Sequence, residues 1–114
     1  MVRIIDPGLI QGNSLPGHAT VVSRSLVGRD PASLTMTVSI GTMAPGGVTE
    51  LHKHDQSEHF HFMLKGDVTI TTPDSNFVLK EGMGCWTAMG ELHGMMNETD
   101  KESVYMAVTA PNKW

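Results

Sequence analysis

The sequence contains a single cysteine, Cys85, so no disulfide can form within the chain and the fold must depend on packing or on a metal. No apolar run approaches the roughly 20 residues of a membrane-spanning helix, and the first residues lack the apolar core of a signal peptide. Basic runs and arginine clusters are also missing, and the net charge is −4. We therefore expect a cytoplasmic protein without nucleic-acid or membrane partners.

Helical periodicity is also missing, because no stretch of about ten residues combines an apolar repeat of 3.6 residues with a cap. Instead, 12 glycines and 6 prolines separate short segments in which apolar and polar residues alternate. Turn signals about every eight to twelve residues predict an all-β sandwich or barrel. The length of 114 residues predicts one domain, 1–114, that begins with an extended N-terminal arm over residues 1–17.

Histidine is the residue that this chain concentrates: four of its six histidines lie within ten residues. His52 and His54 are two apart, so on a strand both side chains leave the same face with Cα atoms about 6.6 Å apart. His59 and His61 repeat the pattern after the polar segment 55–58, which is expected to reverse the chain. Imidazoles grouped in this way predict a site for a divalent transition metal.

Two segments of the chain resemble the two motifs of the cupin family. The first motif, G-x5-H-x-H-x3,4-E-x6-G, is matched over residues 46–66 at Gly46, His52, His54 and Gly66. The second, G-x5-P-x-G-x2-H-x3-N, is matched over residues 82–97 at Gly82, Gly90, His93 and Asn97, with Ala88 in place of proline. The resemblance implies a jelly-roll β-barrel, also called a double-stranded β-helix, and a homodimer built by sheet packing and exchange of N-terminal arms.

One motif position departs from the family. Counting back from Gly66 places His59 where most cupins have glutamate, whereas Glu58 lies one residue earlier. Neighbouring residues of a strand face opposite sides, so only one of the two points toward the metal. We favour His59, because it then shares a face of the strand with His61. The apolar residues Phe60, Phe62 and Leu64 then lie together on the opposite face. The resemblance thus implies a metal site of four histidines: His52, His54, His59 and His93.

Several side chains near this site have two interpretations. His61 either orients a substrate or acts as general base, which makes it our candidate catalytic residue, or it is a hydrogen-bonded interior histidine. The methionines Met36, Met43 and Met63 either line the pocket or fill the core. Cys85 is expected to be a small buried residue, and Phe60 and Phe62 are expected to cover a sheet or a dimer interface.

The cofactor and the function follow from this site. Four imidazoles predict one ion of manganese, iron, nickel, copper or zinc per chain. We expect a metal-dependent enzyme, either a dioxygenase or a lyase or isomerase, acting on a small organic acid, sugar derivative or enol-type compound. The alternatives are a small-molecule-binding or sensing module and a cupin that holds metal without catalysis.

Overall fold

The structure, a computed structural model, describes residues 2–14, 18–28 and 35–111. Within these residues it contains one short 3₁₀ turn, Pro7–Leu9, and eight strands. The strands are β1 His18–Val27, β2 Thr37–His52, β3 Glu58–Lys65, β4 Val68–Thr71, β5 Asn76–Leu79, β6 Gly84–Thr87, β7 His93–Met96 and β8 Ser103–Ala110. No helix in the described ranges is long and apolar enough to cross a membrane.

The strands form a single antiparallel sheet that curls into a nearly closed barrel. Their order is β5-β4-β7-β2-β8-β3-β6, and β1 pairs with β2 beside this path. Every strand pair is antiparallel. The predicted all-β jelly-roll class is therefore confirmed.

The barrel is filled by one face of each strand, as the alternation of residues along a strand requires. The buried apolar residues are Val21, Met43, Met63, Val68, Ile70, Leu79, Met95 and Tyr105. Met43 and Met63 thus belong to the interior, as expected, but the expectation was wrong for Met36, which is 41% exposed. The buried residue is instead its neighbour Thr37, the first residue of β2.

The long strand β2 continues through residues 44–47, where composition suggests a turn. Opposite it, Ala19 pairs with Val48 and Val21 pairs with Met43, so a bulge of β2 lies between these two pairs. Residues before the bulge pair with β8 and residues after it pair with β7. The bulge therefore transfers β2 from one side of the barrel to the other.

The side chain of Asn97, which is only 1% exposed, holds this bulge. Its amide donates to the carbonyls of Met43 (3.0 Å) and Lys101 (2.7 Å), and its carbonyl accepts from the backbone and hydroxyl of Thr99. Its backbone also exchanges hydrogen bonds with Gly46 and Gly47, each 2.9 Å long. The asparagine of the second motif thus has a structural role.

The N-terminal arm lies against β1 at one point. Asn13 and Ser23 exchange two backbone hydrogen bonds of 2.8 Å. Before this bridge the arm is largely exposed and includes the 3₁₀ turn. At the start of this turn the backbone N–H of Gly8 donates a hydrogen bond to the carboxylate of Asp6. Residues 15–17 of the predicted arm lie outside the described ranges.

The outer face of β3 and β6 is apolar. Phe60 is 39% exposed, Leu64 47% and Trp86 63%. An apolar sheet face of this kind is compatible with a partner surface, but the homodimer itself stays a prediction.

We predict that Asn97→Ala lowers the free energy of unfolding by about 2–4 kcal/mol, because it leaves buried backbone groups without partners. Chemical denaturation followed by circular dichroism measures this change. Asn76→Ala is the control, since Asn76 is exposed on the edge strand β5 and its loss should change stability by less than about 0.5 kcal/mol. Equal effects of the two substitutions would contradict the role of Asn97.

Candidate metal centre

The ends of two neighbouring strands bring the first two histidines together. His52 is the last residue of β2 and His93 is the first residue of β7, and the two are paired directly across the ladder. Their ring centroids are 4.4 Å apart. His54 lies just beyond the end of β2, so the prediction of one extended strand through both histidines was wrong, but its ring is still 4.9 Å from that of His52.

The second pair of histidines comes from β3 on another part of the barrel wall. The segment 55–58 does not form a hairpin with β2, because in the described sheet β3 pairs with β8 and β6. The chain crosses the barrel instead. The ring centroid of His59 lies 3.9 Å from the ring centroid of His54 and 5.5 Å from that of His93.

The orientation of β3 is the one expected from its alternation. His59 and His61 are 5% and 8% exposed, whereas Glu58 is on the outside. There the indole N–H of Trp86 donates a 2.9 Å hydrogen bond to the Glu58 carboxylate. Glu58 is thus directed away from the histidine cluster, and His59 toward it.

Three of the histidines are close enough to share an ion. The ring nitrogens that His52, His54 and His93 offer all lie within 4.8 Å of one another, and this set does not include His59. Nitrogens bound to one ion at about 2.1 Å are about 3–4.2 Å apart. Small side-chain movements therefore suffice to close the three rings on a metal.

Backbone carbonyls fix the tautomers of two of these histidines. Nδ1 of His52 lies 2.7 Å from the carbonyl of Glu50, and Nδ1 of His93 lies 2.9 Å from that of Glu91. A carbonyl only accepts, so Nδ1 must donate and the lone pair of each ring is on Nε2. This is the arrangement typical of metal-binding histidines, and the residues therefore fit a metal ion.

Comparison with known proteins agrees with this fold. The family model described as "Cupin domain" matches residues 39–109. The chain belongs to the cupin domain family. None of the curated proteins compared with this cupin matches it.

Solved structures with the same fold include three with different named activities. The polyketide cyclase RemF from Streptomyces resistomycificus has 18% identity and a TM-score of 0.87, covering 100% of this chain and 87% of its own. A predicted oxalate decarboxylase from Thermotoga maritima has 18% identity and a TM-score of 0.82, covering 96% and 99%. A sugar phosphate isomerase from Silicibacter pomeroyi has 18% identity and a TM-score of 0.80, covering 95% and 75%. At these identities the similarity shows the fold alone.

His61 lies beside the clustered histidines of this cupin and, at 8% exposed, is about as buried as His93. Its ring is nearly parallel to that of His59, with centroids 6.1 Å apart, and is 6.4 Å from His93. On its other side the ring of Tyr105 is 5.7 Å away. The side chain of His61 therefore has His59, His93 and Tyr105 as neighbours.

Tyr105 is the interior residue that the sequence interpretation missed. It is 6% exposed, and its ring covers Gly41, at which an added Cβ would lie 2.1 Å from the ring. The signal was present, because alternation along β8 places Tyr105 on the same face as the buried Ser103 and Thr109. Thr109 was missed too, and its hydroxyl is 3.1 Å from Nδ1 of His59.

Burial shifts the pKa of His93 and that of Cys85 toward the neutral form of each group. It lowers the pKa of His93, as does the neighbouring His52, whereas the hydrogen bond to the Glu91 carbonyl acts in the opposite direction. Burial also raises the pKa of the Cys85 thiol, against the effect of a hydrogen bond with Thr87. Cys85 is half-buried against the core and stays a thiol at neutral pH, consistent with a packing role.

Burial raises the pKa of Tyr105 to about 12 from its ordinary value of 10.0. Since Tyr105 is the only tyrosine, we predict that the tyrosinate absorbance of the folded protein develops near pH 12 and that of the denatured protein near pH 10. Between these values the unfolded state loses its proton first, so the free energy of unfolding should fall as pH rises. A folded-state midpoint near pH 10 would contradict the burial of this ring.

Proposed function

We propose that this cupin is a metal-dependent enzyme that transfers a proton on a small enol-type compound or organic acid, as a lyase or isomerase does. The observation that carries the proposal is the cluster of His52, His54 and His93, whose ring nitrogens lie within 4.8 Å of one another. Two of these rings present Nε2 because backbone carbonyls bind their Nδ1 hydrogens. One divalent ion of manganese, iron, nickel, copper or zinc suits such nitrogen ligands.

His59 is the fourth ligand in this proposal. Its ring is close to His54, it faces the interior, and its neighbour Glu58 is engaged with Trp86 on the outer face. A site of four neutral imidazoles adds no negative charge to the ion. The metal then keeps its full positive charge for stabilising the enolate-like charge of a bound substrate.

His61 is the proton-transfer residue. Its ring lies inside the barrel, 6.4 Å from the ring of His93 and 5.7 Å from the ring of Tyr105. An imidazole there takes a proton from the substrate carbon and returns it to another position, which is the proton balance of an isomerisation. Among cupins of this fold, the polyketide cyclase and the sugar phosphate isomerase are named for reactions that need no net oxidation.

The ligand set can be tested by metal analysis of untagged protein, expressed separately with each of the five metals. We predict that His59→Ala lowers metal affinity by at least about tenfold, since it removes a ligand. Glu58→Ala is the matched control from the next position of the same strand, and it should retain metal as the unaltered protein does. The reverse result would assign the site to Glu58, and no retained metal in any preparation would overturn the proposal.

The reaction class can be tested by deuterium exchange. We predict that the zinc-loaded protein, without oxygen, exchanges carbon-bound hydrogen of singly charged keto acids in D₂O, measured by NMR. His61→Ala should retain the metal and lose at least about a hundredfold in exchange rate, the usual range for a lost acid or base. Oxygen uptake that requires iron or manganese would indicate a dioxygenase instead. Stabilisation by ligands without turnover would indicate a binding module.

A further inference from the structure

We propose that the substrate carries no charge beyond its metal-binding end, and that its far end accepts a hydrogen bond from Tyr105. This inference rests on the proposed metal function and adds the class of substrate. It depends on two features of the barrel interior, which are the kind of polar groups present there and the position of the one tyrosine.

Within the described residues, the interior holds no lysine or arginine side chain that could neutralise a second charge. In the described ranges, the buried polar residues are all threonine, serine, histidine or asparagine. The two charged residues that are half-buried lie elsewhere: Arg24 is against Gly12 of the N-terminal arm, and Asp67 is in the turn after β3, where it binds the Glu81 amide. A phosphate or second carboxylate would meet only hydroxyl, amide and imidazole groups there, with no lysine or arginine to pair with, which costs several kcal/mol or more.

Tyr105 supplies a neutral donor in the same space. Within the described residues no protein group bonds to its hydroxyl, although the side chain is only 6% exposed. The ring is held in place because Gly41, its partner on β2, has no side chain to displace it. The hydroxyl is not fully enclosed, unlike the unpartnered oxygens of Ser25 and Thr49, so it can donate its hydrogen bond to water or to a ligand.

The order of the groups indicates how a substrate would lie. The ring of His61 is 6.4 Å from His93 on one side and 5.7 Å from Tyr105 on the other. Met43 and Met63 are buried in the core to which Tyr105 belongs. A molecule with a metal-binding head, an apolar middle and an oxygen acceptor matches this sequence of groups. Sugar phosphates and dicarboxylates do not, whereas singly charged keto acids and neutral enol-type compounds do.

The test uses three hydroxamates of equal chain length, because a hydroxamate binds the metal and the rest of the chain extends from it. Pentanohydroxamate has an apolar tail, levulinic hydroxamate adds a ketone, and glutaric monohydroxamate ends in a carboxylate. Their dissociation constants are measured by titration calorimetry on the zinc-loaded protein and on Tyr105→Phe.

We expect levulinic hydroxamate to bind roughly two- to tenfold more tightly than pentanohydroxamate, the value of one hydrogen bond, and this preference to vanish in Tyr105→Phe. Glutaric monohydroxamate should bind at least about tenfold more weakly than pentanohydroxamate to both proteins. A carboxylate tail that binds as well as the apolar tail would overturn the charge argument. A ketone preference that persists in Tyr105→Phe, or is missing from the unaltered protein, would overturn the role of Tyr105.

If Tyr105→Phe does not fold, the unaltered protein still tests both claims, because a missing ketone preference or a tolerated carboxylate tail would overturn the corresponding one. Failure of this inference is also separable from failure of the proposed function. If the protein retains zinc but binds the three hydroxamates equally, only the substrate class is wrong. If it retains no metal and binds none of them, the metal function and this inference are both wrong.

Discussion

The candidate metal centre depends on the pairing of β2 with β7, which sets His52 directly opposite His93. This pairing exists only because β2 leaves β8 at the bulge of residues 44–47 and continues on the other side. Asn97 holds the bulge because its side-chain amide donates to the Met43 carbonyl before it and its backbone exchanges hydrogen bonds with Gly46 and Gly47 within it. Each such bond contributes about 1 kcal/mol. The positions of His52 and His93 therefore depend on Asn97, which follows His93 by about 15 Å of chain.

The second constraint is that the centre is built from neutral groups. The rings of His52, His54, His59 and His93 approach within 3.9–5.8 Å of their neighbours, which would be repulsive if more than one were protonated. Burial of His93 lowers its pKa and favours the neutral form. The same desolvation keeps Tyr105 protonated. Burial thus favours both the neutral imidazole of His93 and the protonated hydroxyl of Tyr105.

Local alternation explains which parts of the structure the sequence could predict. The inward face of β3 follows from side chains that alternate at a period of two, and it agrees with the structure. Residues 44–47 were misassigned because Pro45, Gly46 and Gly47 suit a bulge as well as a turn. The crossing from β2 to β3 was not predictable either, since composition shows that segment 55–58 leaves a strand but not which strand the chain joins next.

Tyr105 shows a different limit of prediction. Its inward orientation could be predicted from alternation, but its environment depends on Gly41 of β2 and His61 of β3, which come from distant parts of the chain. A single tyrosine in a strand has no motif that marks it as functional. Only the arrangement of β2, β3 and β8 in the structure shows that its ring lies against Gly41 and beside His61.

The register of β3 ties the site to the outer surface of the barrel. A shift of one residue would exchange His59 and His61 for Glu58 and Phe60 at the interior, and would place two imidazoles outside. The shift is opposed from both sides of the sheet. Met63 is fully buried within, and outside Trp86 binds Glu58 while Phe60 packs over Gly84. The apolar outer face therefore helps to specify the nitrogen-lined interior, because the carboxylate that most cupins direct toward the metal is held on the opposite side of this strand.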